Sequence, residues 1–298
     1  MTPFSLISPS SDATADTDDG FMRHIHACNA RRSDVERRPF RLGGHVAGLV
    51  EPTAAAALHE AGLNDRDGFA LPDASELEAL GRRLAALGLY RPHDELFDVR
   101  ATPGGPALGR IDRGALPLFG FFATGVHMNG LVQRSDGLHL WVGRRARDKR
   151  LDPGKLDHLV AGGVPAGYTP DEALLKEAEE EASLPPEVTR QARGVGVIRY
   201  AMDRPEGLRR DALHCYDLLL PETFTPRPAD GEVEEFLLLP LSDVFALVRD
   251  TDEFKFNVNL VLIDLFLRFG MIDPESTEGR VLRAGLNGPV FDDEGAAA

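Results

Sequence analysis

The stretch "GGVPAGYTPDEALLKEAEEEASL", from Gly162 to Leu184, constrains the chain more than any other, because it fixes where one helix begins and loads it with carboxylates. Thr169 suits an N-cap, Pro170 the first helical position, and Glu172 completes a Thr-x-x-Glu capping box. "SLPP" stops the helix near Ala182, and Leu174, Ala178 and Ala182 form an apolar edge for packing on a sheet. Glu177, Glu180 and Glu181 are spaced by three and four residues, so they share a face. Like charges so placed cost ~0.2–0.5 kcal/mol per pair. Near a helix C-terminus the dipole disfavours each anion by a further ~0.3–1 kcal/mol. Carboxylates held together at that cost mark a cation site, and a hard divalent ion is the natural guest for oxygen ligands. A solvated acidic face is the plainer alternative, and Lys176 can pair with Glu172 and Glu180 on that face.

Around this helix the elements alternate. "PLFGFFATGVHMNGLV" and "LHLWVGRRA" are strand candidates joined by "RSDG", and "GVGVIRYAM", "ALHCYDLLL" and "EVEEFLLLPL" follow the helix. "LSDVFALVRD" and "NVNLVLIDLFLRFG" are closing helices, the last stopped by Gly270. Upstream, "FMRHIHACNA" and "PTAAAALHEAGL" read as helices, and "RPFRLGGHVAGLVEP" as a strand run broken by glycines. "LPDASELEALGRRLAALGLY" is amphipathic, with Leu77, Leu80, Leu84 and Leu87 on one stripe; "DELFDVRA" and "PALGRIDR" flank the turn "TPGGP". The reading is α/β (α+β): a disordered tail over 1–20, an N-terminal α+β companion unit over 21–115, a mixed-sheet unit over 116–285, and a frayed tail over 286–298.

Charge and composition exclude several classes. At a net charge of -15 the chain lacks the basic surface that nucleic acid or an anionic membrane needs. No apolar run reaches the roughly 20 residues of a membrane span, and the N-terminal stretch lacks the order of a secretory signal. Cys28 and Cys215 are too few for a disulfide framework and read as reduced thiols, so a cytoplasmic chain, monomer or homodimer, is expected. An acidic protein can still bind a phosphorylated small molecule if metal ions supply the positive charge.

The stretch resembles the signature of the Nudix hydrolase superfamily, G-x5-E-x7-R-E-U-x-E-E-x-G-U, where U is bulky and apolar. Aligned on Gly162, Glu177 fills the glutamate after the arginine, Glu180 and Glu181 the paired glutamates, Ala178 and Leu184 the U positions. Tyr168, Lys176 and Ser183 stand where the signature has Glu, Arg and Gly. The flanks "LWVGRRARDKRLDPGKLDHLVAGGVPAG", "EGLRRDALHCYDLLLPETFTPRPADGEVEEFLLLPL" and "FKFNVNLVLIDLFLRFG" look like the Nudix branch related to thiamine pyrophosphokinase, with its N-terminal companion domain. That resemblance spans about residues 21–285.

It implies an α/β/α sandwich preceded by the smaller unit, and Mg²⁺, or Mn²⁺ in its place, on Glu177, Glu180, Glu181 and the Gly162 backbone. The activity implied is hydrolysis of an organic diphosphate to the monophosphate, the substrate being oxidised or damaged thiamine diphosphate. Glu177, Glu181 and an outside carboxylate, Glu232, are the candidate catalytic groups; Glu234 and Glu235 stand beside Glu232. Arg144, Arg145, Lys155 and Arg210 are candidate phosphate ligands, with Arg147, Lys149 and Arg209 nearby in sequence. Asn257, with Asn259, could read a pyrimidine edge or cap a helix. Trp141, Tyr216 and His158 read as structural. The front unit is expected to cap the cleft. ADP-ribose or another nucleoside diphosphate derivative remains an alternative substrate, and a ligand-binding sensor that no longer turns over an alternative class.

Overall fold

The structure, a computed structural model, describes residues 20–288; of the tails expected over 1–20 and 286–298, residues 1–19 and 289–298 lie outside the described residues, and Leu286 ends a helix. In chain order the elements are α1 (Met22–Cys28), β1 (Arg38–Leu42), β2 (His45–Val50), α2 (Pro52–Glu60), β3 (Asn64–Asp65), β4 (Gly68–Leu71) and α3 (Leu77–Ala86). They continue with β5 (Leu96–Arg100), β6 (Ala107–Asp112), α4 (Leu116–Phe119), β7 (Phe122–Arg134), β8 (Gly137–Arg145), β9 (Leu156–Asp157) and β10 (Val160–Gly163). The rest are α5 (Pro170–Ala182), α6 (Pro186–Thr189), β11 (Arg193–Arg204), β12 (Gly207–Leu220), β13 (Val233–Pro240), α7 (Leu241–Asp250), α8 (Val258–Arg268) and α9 (Thr277–Leu286).

The first unit is a four-stranded sheet in the order β2-β1-β4-β3 with α2, α3 and the β5–β6 hairpin around it. Its core gathers Phe40, Phe69, Leu77, Leu80 and Leu84, and reaches forward to Leu116, Phe119 and Phe121. Leu87 departs from the expected stripe and is 72% exposed. The helix ends at Ala86, and Gly88 at φ +77° turns the chain away before Leu87 can reach the core.

The second unit is the expected α/β/α sandwich on a mixed sheet, β11-β12-β7-β8-β13 with β9 and β10 attached. β12 runs parallel to β7, and the other neighbours on the main path are antiparallel. α8 buries Val258 and every residue from Leu260 to Ile263 on one face, while α5 covers the other through Leu174, Ala178 and Ala182. Cys28 and Cys215 are free and buried in this core, and burial pushes both thiols up to about 12.

Packing assigns the first and last described helices to this second unit. Phe21, Ile25 and Cys28 of α1 join its core, and Arg23 donates to the Val248 and Thr251 carbonyls at the end of α7, where helix carbonyls lack partners. α9, which the sequence reading did not anticipate, packs against α1 and buries Leu282 and Leu286. Packing therefore divides the chain less simply than a cut at 115/116: α1 precedes the first unit's core yet packs in the second unit, and 116–121 packs in the first.

One feature of the sheet opens the site. β7 pairs with β10 through residues 125–128 and with β8 through residues 130–134, so its two halves have different neighbours on one edge. Leu159 fills the fork: a methyl group at Gly130 would lie 2.3 Å from its Cδ2. The glycine segment is thus partly a strand, because Gly162 and Gly163 pair with Val126 and Gly125.

Candidate active site

The helix that carries the carboxylates begins as its sequence dictates. The Thr169 hydroxyl accepts from the Glu172 amide at 3.3 Å, and the Glu172 carboxylate accepts from the Thr169 amide at 2.9 Å, closing the capping box. The helix ends at Ser183, which takes the left-handed conformation (φ 53°, ψ 35°). There the Leu184 amide donates to Ala178 O, and the Ser183 hydroxyl donates to Arg227 O at 3.0 Å.

Between those ends the apolar edge sets the rotation of the helix, and the three glutamates separate. Glu181 is 7% exposed and accepts from the Ala161 amide at 2.9 Å. Glu177 lies flat on Gly162, where a methyl group would sit 2.3 Å from its carboxyl carbon, so only glycine admits it. Glu180 turns outward and is paired with Lys176, which also reaches Glu177 at 3.3 Å. Lys176 does not pair with Glu172, whose carboxylate is taken by the cap. Burial raises the Glu181 carboxyl well above its ordinary range, against the one Ala161 hydrogen bond that lowers it. Burial also raises Glu177; Lys176 opposes that, and Glu180 and Glu95 add to it.

Across a narrow cleft from Glu181 stands Glu232, ion-paired with Lys149. Arg145, Asp157, His158 and Ala161 line the same cleft. Arg145 is committed to Asp157 at 2.7 Å and to the Leu151 carbonyl at 3.0 Å. Residues 253–255 run beside β9: the Leu156 amide donates to Glu253 O and the Lys255 amide to Leu156 O. That pairing brings the buried Lys255 ammonium to 3.2 Å from Asp157. Burial alone would raise the Asp157 carboxyl; Lys255 and Arg145 outweigh it and hold it well below the usual range. His127 Nδ1 and His158 Nδ1 are 2.9 Å apart, and burial pushes His158 down to about 4 and His127 well below its ordinary value.

Among the described residues, two groups of side chains could hold a metal. His127, Asp157 and His158 have ligand atoms within 4.8 Å of one another. Asp157 already carries two buried cations, so a divalent ion there would meet positive charge. Glu181 presents the opposite condition, a buried carboxylate in need of positive charge, and with the half-buried Glu177 it lies beside the Gly162 and Ala161 backbone. The donor set there is oxygen, as a hard cation requires.

Of the other residues singled out by sequence, Arg144 pairs with Glu235 at 3.0 Å and donates to Gly154 O. Lys155 lies 3.9 Å from Asp152. Arg210 is buried, with its guanidinium 3.7 Å from the centre of the Phe122 ring and a bond to Gly120 O. Asn257 begins α8 without a side-chain cap and lies 3.4 Å from the Tyr200 hydroxyl. Asn259 reaches the Lys255 and Phe256 carbonyls, Glu234 is near Arg147, and Arg209 pairs with Asp211. Trp141 is buried in the core beneath α5, and the Tyr216 hydroxyl donates to Asp171 at 2.7 Å. The fold thus brings Glu181, Glu232 and Arg145 to one cleft, adds Lys149, sets Glu177 against Gly162 next to the lining residue Ala161, and leaves Arg144, Lys155, Arg210 and Asn257 outside the cleft lining. Sequence reasoning passed over Asp157, His127 and Lys255, since no local spacing connects positions so far apart in the chain.

Comparison with known proteins returns one family model, the NUDIX domain, over residues 124–258. Nudix hydrolase 20, chloroplastic, of Arabidopsis thaliana is 44% identical over 292 residues, covering 90% of this chain and 76% of the relative. Nudix hydrolase 24, chloroplastic, of the same plant is 44% identical over 183 residues, 61% of this chain and 50% of the relative. Among solved structures, DR0079 of Deinococcus radiodurans aligns with a TM-score of 0.44 at 21% identity, over 56% of this chain and 97% of that one.

Proposed function

Because the chain belongs to the Nudix hydrolase family, we propose that it hydrolyses an organic diphosphate to the monophosphate and phosphate with Mg²⁺, or Mn²⁺ in its place. Glu181 carries this reading: a carboxylate 7% exposed, with the Ala161 amide as its hydrogen-bond donor, lacks the positive charge that a buried anion needs. Glu177 and the Gly162 backbone complete the cradle for the cation, while Glu180 stands at its outer edge with Lys176 as its partner. When bound, it neutralises the diphosphate and polarises a phosphorus atom toward attack by water.

The chain's own residues supply the rest. Glu232 faces Glu181 across the cleft and accepts the proton of the attacking water, while Lys149 holds it in place. Lys149 also puts a positive charge beside the phosphate oxygens. Arg145 acts indirectly, by fixing Asp157 and the 151–152 turn that shape the cleft wall.

Oxidised thiamine diphosphate is the proposed substrate, on the likeness of the flanking segments to the thiamine-related branch. Turnover of oxidised thiamine diphosphate, intact thiamine diphosphate and ADP-ribose, each with Mg²⁺ or EDTA, tests this in the native chain and in Glu181→Gln. Magnesium-dependent release of phosphate and monophosphate that prefers the oxidised cofactor and collapses in the variant is the expected result. Turnover of ADP-ribose alone keeps the site and discards the thiamine reading. Binding without turnover of any of the three makes the protein a sensor.

A further inference from the structure

The short segment 164–168 joins β10 to α5, and so connects Gly162 to the helix bearing Glu177 and Glu181. Its amides are satisfied from two sides. Val164 donates to Thr124 O at 2.9 Å, within the second unit. Ala166 donates to Leu96 O at 2.7 Å and Gly167 to Asp98 Oδ2 at 3.1 Å, both on β5 of the first unit. Between those residues Phe97 presses its ring on Gly163, where a methyl group would lie 2.4 Å from the ring's Cζ. Asp98 is itself anchored, by Arg100 at 2.9 Å and Arg110 at 3.3 Å. Tyr168, 43% exposed, turns its side chain toward solvent.

We infer that the N-terminal unit is a working part of the metal site: Asp98, with the Leu96 carbonyl, positions the 164–168 segment and thereby the Gly162 backbone against Glu177. The inference rests on the metal-dependent reading above and assigns Asp98 as a positioning residue. Tolerance there is small. Glu177 already touches the Gly162 backbone, so a shift of the strand end by an ångström changes the carboxylate's place. Residues that orient metal ligands from behind typically contribute about 10–100-fold in affinity or activity.

The test uses the full chain with Asp98→Ala, Asp98→Asn and, as a control, Phe69→Leu, which loosens the first unit's core without touching the segment. Mn²⁺ affinity is read from the free-ion electron paramagnetic resonance signal, and amide exchange over 164–168 by mass spectrometry. Asp98→Ala is expected to weaken Mn²⁺ about tenfold or more and to speed exchange in that segment. Asp98→Asn, which keeps an acceptor, is expected to retain most of both. Phe69→Leu should lower the melting temperature yet leave Mn²⁺ affinity and segment exchange as in the native chain. Native Mn²⁺ affinity in Asp98→Ala, or equal weakening in Phe69→Leu, overturns the inference. A native chain that binds no Mn²⁺ refutes the metal reading instead, and unchanged exchange in Asp98→Ala would then overturn the positioning role.

Discussion

Glu181 and Glu232 line one cleft, but Glu232 has Lys149 as a counter-ion while Glu181 has the Ala161 amide. The asymmetry has a pH signature. Burial raises the folded-state pKa of Glu181, so the folded chain binds a proton that the unfolded chain has released once pH exceeds the ordinary glutamate value of 4.5. Its stabilising share is full below that value and is lost as pH rises through the folded value. In EDTA the melting temperature of the native chain should therefore fall with rising pH relative to Glu181→Gln. Mg²⁺ should remove the difference, because a cation reverses the preference of a crowded carboxylate for its proton. Parallel melting curves for the two chains in EDTA would show that Glu181 is not held uncompensated.

Glu232→Gln separates two roles of its carboxylate. As the proton acceptor for water it should lower kcat by about 10²–10⁴-fold, with Mn²⁺ affinity unchanged. As a mere partner of Lys149 it would leave kcat close to native. Steady-state turnover together with Mn²⁺ titration decides between them.

How much of this was legible beforehand differs between elements for physical reasons. The start of α5 was readable because a capping box is local: Thr169, Pro170 and Glu172 meet whatever the rest of the chain does. The shared face of Glu177, Glu180 and Glu181 was readable only in part, since Leu174, Ala178 and Ala182 choose the rotation that buries Glu181, half-buries Glu177 and exposes Glu180. β10 carries two glycines and little strand propensity; it is a strand because β7 offers an unpaired edge there. Asp157, His127 and Lys255 lie on three separate segments, and only the pairing of 253–255 with β9 brings the lysine to the carboxylate.

That convergence sets a third expectation. Asp157 accepts from two buried cations, so Asp157→Asn leaves Arg145 and Lys255 without their counter-charge. Removing one partner of a buried ion pair costs about 3–5 kcal/mol, and urea unfolding should show a loss of that size. The pH dependence runs opposite to that of Glu181. The carboxyl of Asp157 is depressed in the fold, so its contribution is present above the ordinary aspartate value of 3.8 and lost as pH falls. A loss below 1 kcal/mol would mean that Lys255 finds another partner or sheds its proton.

The end of α5 provides the last prediction. Ser183 occupies left-handed backbone at φ 53°, a conformation that strains any residue with a Cβ, and its hydroxyl donates to Arg227 O. Two effects therefore oppose each other at this position, and a pair of substitutions separates them. Ser183→Ala and Ser183→Gly both lose the hydroxyl bond, but only the glycine relieves the backbone. Ser183→Gly should thus exceed Ser183→Ala in stability by ~1–2 kcal/mol, the cost of the left-handed conformation. The native serine should fall between them or near the glycine, since a hydrogen bond of about 0.5–1.5 kcal/mol offsets part of the strain. Equal melting of the two variants would mean that the helix end has moved out of the left-handed region. Glu181, two residues upstream, would then need to be placed afresh.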